Sequence, residues 1–276
     1  MTTQGLGFLN KPINYRLVTS CTLSLLLLFV PSAIAEYRPP DREPASDSSD
    51  TTARFTPRDR EPASDSSDTT ARFTPRDRKP TSDYSRTGGP RGCPGEAIPL
   101  TLLAPQTYVG QTASVHPTFA GFVSSSHEIE FRLFEFESNN TLKQLGSPIK
   151  KQTQPGVFQL SLPENHPGLT VGKKYLWQIA IRCPDGAIVE RAEFRVVELP
   201  TRIKSRLSTT INSSQKVDIY AGADFWYEAF MEALTLAQPG KMGQLGSSLV
   251  EDLAKSELEE DADKIRWLEE IVNRDK

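Results

Sequence analysis

Three histidines, His116, His127 and His166, are the only imidazoles in the 276 residues. Each stands alone, with none of the H-x-x-x-H spacing or cysteine clustering that a zinc site draws on. His116-Pro117 and His166-Pro167 read as turn residues. The chain has no G-x-S-x-G elbow, no S-x-x-K and no phosphate-binding glycine loop. Acid–base work on a glycan or peptide would fall to scattered carboxylates such as Glu128, Glu164 and Asp185. It would need two of them at a set separation. Glu259-Glu260-Asp261 and Asp263 lack the alternating ligands and glycine turn of a calcium loop, and read as a solvated helix face. The expectation is therefore no catalytic residue, no metal and no cofactor: a non-catalytic protein.

The start of the chain carries an address rather than chemistry. Lys11 and Arg16 precede an apolar run, Leu17 to Val30, and Ala33-Ile34-Ala35 has the small-x-small form of a cleavage site. Residues 1–35 are expected to be a signal peptide cut between Ala35 and Glu36. A retained anchor is the alternative, although the run is shorter than the ~20 residues that span a bilayer. Cleavage would remove two positive charges and take the net charge from −3 to −5, which disfavours nucleic acid as a partner. The acidity is concentrated in Val217–Lys276, at −8. Cys93 and Cys183 would remain, and an exported chain with two cysteines favours one disulfide, with two buried thiols as the alternative. The location expected is periplasmic or extracellular, in the cell envelope.

Residues 36–92 are polar and rich in proline. DREPASDSSDTTARFTPR runs over 41–58, repeats unchanged over 59–76, and starts again in altered form at Asp77. Tyr37, Phe55, Phe73 and Tyr84 are its only large apolar side chains. One phenylalanine per eighteen residues cannot offset chain entropy, so a disordered tether is expected up to Gly92. The rival reading is a linear motif, Arg54-Phe55-Thr56-Pro57-Arg58, repeated at Arg72–Arg76.

The elements that would position any site follow from residue 93. Phe158, Leu160 and Leu162 share a face, as do Tyr175, Trp177, Ile179, Ile181 and Cys183, and again Ala192, Phe194 and Val196. With Ile98–Ala104, Ser114–Val123, Glu128–Glu137 and Pro148–Gln152, about seven strands are predicted. A bulge is predicted between Leu133 and Phe134, where the apolar parity switches. That spacing predicts a mainly β, then α chain: an Ig/fibronectin-like antiparallel β-sandwich over 93–200 and an amphipathic helical region over 201–276. Leu169, Tyr175 and Trp177 resemble the corner of fibronectin-like sandwiches, where the tyrosine hydroxyl bonds backbone. Trp226, Ala229, Phe230, Ala233 and Ala237 form one helical stripe, and Leu258, Ala262, Ile265, Leu268 and Val272 another. Ser248–Glu251 and Ser256–Glu259 read as capping boxes, Glu260 and Lys264 as an i,i+4 pair, and Asn212-Ser213-Ser214 as a glycosylation acceptor. Tyr220–Pro239 weakly resembles half of a tetratricopeptide helix pair. Trp226 and Tyr227 are its candidate binding aromatics, with packing as the competing role.

The order of motifs resembles one family. It comprises Pro39-Pro40-Asp41-Arg42, Gly88–Pro94, Leu100–Pro105, Pro117-Thr118-Phe119, Pro155-Gly156-Val157, Leu169 through Trp177, Cys183, and Tyr220-Ala221 with Trp226–Ala229. Together these resemble the cyanobacterial domain of unknown function 928 over roughly residues 39–250. The resemblance implies an exported cyanobacterial protein and carries no activity. In that family the proline-arginine segment runs almost directly into the glycine-cysteine stretch, whereas here the repeats intervene. The family also favours glycine before the Trp-Tyr pair, where this chain has Asp224-Phe225. The functional expectation is an envelope module binding a protein or a polysaccharide, with no stable membrane span after cleavage. An envelope hydrolase is the alternative.

Overall fold

Period-two alternation in three strands builds the centre of the protein. Tyr175, Trp177, Ile179 and Ile181 point inward from one strand, Ala192, Phe194 and Val196 from its neighbour, and Ile129, Phe131 and Leu133 from the next; all are buried. The computed structural model describes residues 72–76, 78–85, 92–163 and 166–276. All of these lie in one compact unit, Asp65–Lys276.

Among the described residues, eight strands and five α-helices follow one another: β1 (Thr101–Leu102), β2 (Gly110–Thr112), β3 (Thr118–Val123), β4 (Glu128–Phe136), β5 (Leu142–Gln152), β6 (Gly156–Ser161), β7 (Lys174–Cys183), β8 (Gly186–Val196), α1 (Thr201–Ser208), α2 (Ser213–Ala221), α3 (Trp226–Thr235), α4 (Gly243–Ser256) and α5 (Ala262–Asp275). A 3-10 turn, Glu259–Asp261, precedes α5. The strands form two sheets, β1-β3-β6 and β2-β8-β7-β4-β5. All neighbours are antiparallel except β2, which runs parallel to β8. Mainly β followed by α is thus the architecture. Phe119 joins the sheets, its ring centroid 4.8 Å from Trp177, 5.2 Å from Phe131 and 5.4 Å from Phe194.

Several expectations need correction. β2 was not foreseen, because three residues opening on a glycine show no alternation. β5 begins six residues before Pro148, at Leu142, through a mixed and largely exposed stretch that shows no clean alternation. The register shift in the β4–β5 ladder falls between Phe131 and Leu133, just before the predicted bulge. Ser248 lies inside α4, and the Ser256 hydroxyl donates back to Leu253 O at the helix end, so neither capping box exists. The side-chain cap that does form is Asn212, which accepts from the backbone N–H groups of Ser214 and Gln215. Ala237 lies beyond the end of α3, and Leu258 is 47% exposed.

Helices and sheets are joined by buried polar contacts at the exit of β1. Trp226 Nε1 donates to Leu103 O (3.0 Å). Lys264 is buried, and its ammonium donates to Leu102 O (3.3 Å), Ala104 O (3.1 Å) and Gln106 Oε1. Desolvation lowers its pKa, and the fields of Glu257, Glu190 and Asp261 offset that only in part. Glu257 accepts from the N–H groups of Gln106 (3.0 Å) and Thr107 (2.9 Å). On the other side, Val157 pairs with Gly240 just after α3. Gly156 has φ +113°, and a Cβ there would lie 2.5 Å from Gly240 O, so only glycine allows this approach.

Candidate functional site: a peptide strap across the helices

The arginines of the repeat motif need acids to meet them, and the acidic part of the chain is the helical one. Arg72–Arg76, the end of the second repeat, lies across α2, α3 and α4. The Phe73 side chain is 2% exposed, with its ring edge-on to Trp226 at 4.9 Å. One carboxylate oxygen of Asp252 on α4 accepts the N–H groups of both Arg72 (2.7 Å) and Phe73 (3.0 Å). The Arg72 guanidinium pairs with Asp218 on α2. Pro75 is buried. The Arg76 guanidinium donates to Gly222 O, and its N–H to Asp224 (3.4 Å). Arg72, Phe73 and Arg76 each therefore have their own receptor on the helical layer.

Asp224 holds φ +69°, a left-handed backbone that glycine adopts freely and aspartate tolerates. Its side chain also accepts from Gln111 Nε2 (2.8 Å) on β2. An aspartate here keeps the turn and adds a carboxylate beside the strap.

The strap continues along the outer face of the larger sheet. Pro80 bridges to Tyr108. The Ser82 N–H (2.9 Å) and the Ser82 and Ser85 hydroxyls (Ser85, 2.7 Å) donate to one oxygen of Glu193, while Lys174 (3.1 Å) holds the other. Glu193 is wholly buried on β8, so these donors replace water around its charge. Tyr84 meets Phe136 edge-on at 6.1 Å. The expected tether ending at Gly92 is thus corrected for its last stretch: residues 72–76 and 78–85 belong to the folded body. Phe55 and the first repeat lie outside the described residues, as do the Ala35–Glu36 cleavage site and Glu164.

Of the aromatic pair, Tyr227 packs in the interior, while Trp226 packs and also receives Phe73. Trp226 is 1% and Tyr227 4% exposed. The Tyr227 hydroxyl accepts from Trp177 Nε1 (3.1 Å), and burial raises its pKa. A crevice of about 10 Å³ beside them, lined by Leu103, Thr118, Phe230 and Met231, holds no more than a water. Glu228 follows on α3. One of its oxygens accepts from Thr112 Oγ1 (2.6 Å), Ala113 N (2.7 Å) and Ser114 N (2.9 Å); the other is buried with no hydrogen-bond partner. Desolvation raises its pKa against those hydrogen bonds.

At the far end, Cys93 and Cys183 form the disulfide, with their Cα atoms 5.3 Å apart. His127, expected to stand alone, sits beside it. Its Nε2 lies 2.7 Å from Glu96 Oε1 and 2.9 Å from Ser125 Oγ. Burial works against the Glu96 carboxylate, but the hydrogen bonds from Ser125 and His127 outweigh it and hold the pKa below the ordinary value. Serine and glutamate meet the same imidazole nitrogen, so this is no relay triad, in which opposite nitrogens bridge nucleophile and acid. Cys93, Glu96 and His127 place donor atoms within 4.8 Å of one another, but the Cys93 sulfur is bonded to Cys183. Glu128 is exposed and paired with Lys150 (2.9 Å), and Asp185 is exposed in the β7–β8 turn. The Tyr175 hydroxyl accepts from Thr170 N–H (2.8 Å) while Leu169 is buried, which is the predicted corner bond.

The family model described as Domain of Unknown Function (DUF928) matches residues 86–262. The chain belongs to the DUF928 family. Its matched segment covers both sheets and reaches the start of α5, while Arg72–Ser85 lies before it. No curated protein matches the chain. Among the described residues, no helix is long and apolar enough to cross a membrane.

Proposed function

We propose that this DUF928 protein is an exported, non-catalytic binding module of the cyanobacterial cell envelope, periplasmic or extracellular, that takes a protein partner. The observation carrying this reading is the strap. The acidic helices hold an extended basic peptide by its side chains and its backbone N–H groups, which is how peptide-binding surfaces work. A polysaccharide partner has less support, because Tyr227 is buried and Trp226 is covered by Phe73, so neither ring is open for a sugar to stack on. The hydrolase alternative has less still: Glu128 and Asp185 are exposed, and Glu128 is already paired.

Export is supported by the basic and apolar start of the chain, its small-x-small site and the Cys93–Cys183 bridge. An Ig/fibronectin-like assignment is supported by the order of the two sheets and by the Thr170–Tyr175 corner bond. Cross-linking through the helical layer in intact cells tests the function. A trapped envelope protein is the expected result, and recovery of only uncross-linked chain would overturn it.

A further inference from the structure

The chain carries the strap's sequence twice. Arg54–Ser67 and Arg72–Ser85 are identical at eleven of fourteen positions, including the whole of Arg-Phe-Thr-Pro-Arg-Asp-Arg. Every residue shown to meet the helices has its duplicate, Arg54 for Arg72, Phe55 for Phe73 and Arg58 for Arg76, and the buried Pro75 has Pro57. The two serines on Glu193 are kept as Ser64 and Ser67. The three differences are Glu61 for Lys79, Ala63 for Thr81 and Ser66 for Tyr84. The last two remove a hydrogen bond to Gln106 O and the ring contact with Phe136.

We propose that the groove formed by α2, α3 and α4 binds the Arg-Phe-Thr-Pro-Arg peptide as such, and that Arg54–Arg58 of the same chain is its second ligand. The contacts are local to the pentapeptide. Asp252 reads two consecutive backbone N–H groups, Asp218 and Gly222 O read the arginines, and Trp226 takes the phenylalanine. None of them depends on what precedes Arg72 or follows Arg76. Charge matches as well, since two arginines land on the acidic segment of the chain. The near copy holds the groove because it is joined by a short connection to the rest of the strap; the far copy must close a loop eighteen residues longer. Tyr84 and Thr81 add to that preference. The duplication thus supplies a tethered competitor whose effective concentration is set by its linker.

Melting of the full chain tests this. Phe55→Ala should leave Tm unchanged. Phe73→Ala should lower it by a few degrees, because Phe55 takes the vacated place, and the double variant should lose clearly more. Identical melting of Phe73→Ala and the double variant would overturn the proposal. The decapeptide TTARFTPRDR, common to residues 51–60 and 69–78, should bind the double variant saturably and restore its Tm, whereas its Phe→Ala form should not. Absence of saturable binding to folded double variant also overturns it. If the double variant does not fold, a photoreactive phenylalanine at position 55 in otherwise native chain gives the answer. Cross-linking within one chain to the surroundings of Trp226 supports the proposal; cross-links elsewhere, or only between two chains, refute it. None of these readouts involves an envelope partner, so they stand or fall apart from the cross-linking in cells.

Discussion

The core between the two sheets and the strap groove each bury aromatic rings, but by different physics. Around Phe119 the rings of Phe131, Trp177, Phe194 and Tyr227 enclose one another, and the single polar link is Trp177 to Tyr227. Around Phe73 there is one aromatic partner, and the rest is carboxylate against backbone N–H and guanidinium. Hydrophobic burial scales with area, and the core has far more of it. Hydrogen bonds and ion pairs at a half-exposed surface are individually small but read sequence. The core is built to persist and the groove to select.

The sharpest way to break this contrast is at the core. Trp177→Ala leaves a large cavity and deprives the Tyr227 hydroxyl of its donor; a loss of about 3–5 kcal/mol is expected in denaturant unfolding. A loss no larger than that of a strap variant would erase the distinction. Next comes the Cys93–Cys183 bridge. Serine at both positions, or reduction, should cost about 2–5 kcal/mol and leave the strap contacts in place. Asp252→Ala orphans the Arg72 and Phe73 N–H groups and should cost about 1–3 kcal/mol, read as lost protection of those two amides from hydrogen exchange. Arg72→Ala is the mildest, at about 0.2–1 kcal/mol, and should remove part of the salt dependence of strap docking, since the Arg72–Asp218 pair is about half exposed.

Two carboxylates outside both regions give the pH dependence opposite signs. The raised pKa of Glu228 means that the folded state binds this proton more tightly than the unfolded chain. Its contribution is fully present below the unfolded carboxylate value and is lost as pH rises through the folded one. Glu228→Gln should flatten that fall, by at most about 1.4 kcal/mol per pH unit in the slope of the melting series. Glu96 has the opposite sign: its lowered pKa gives stability that is lost as pH drops through the folded value.

Alternation made the body legible in the sequence. Phe158 to Leu162, Tyr175 to Cys183 and Ala192 to Val196 each state their face, and the resemblance of Leu169–Trp177 to a fibronectin-like corner pointed to the Thr170–Tyr175 hydrogen bond. The two cysteines left a disulfide and two buried thiols both open in the sequence, and only the 5.3 Å approach of their Cα atoms decides for the bridge. The groove was not. Phe73 has no periodic neighbour to announce it, and its receptor residues Asp218, Trp226 and Asp252 are about 150–180 residues away. The signal that could have found it was the conjunction of a repeated aromatic between arginines with an acidic C-terminal region. The capping boxes failed for the converse reason. A short motif states a local preference, and tertiary packing carried α4 straight through Ser248.

One remaining feature governs how the molecule meets its own kind. β5 is the free margin of the five-stranded sheet, eleven residues long and mostly exposed. A margin of that length invites another strand to add to it and seed aggregates. Here Lys143, Lys150 and Lys151 charge it, Pro148 removes a donor, and Gly146 at φ +66° interrupts its pleat. Growth of the sheet from molecule to molecule is therefore obstructed at the one long edge where it could begin.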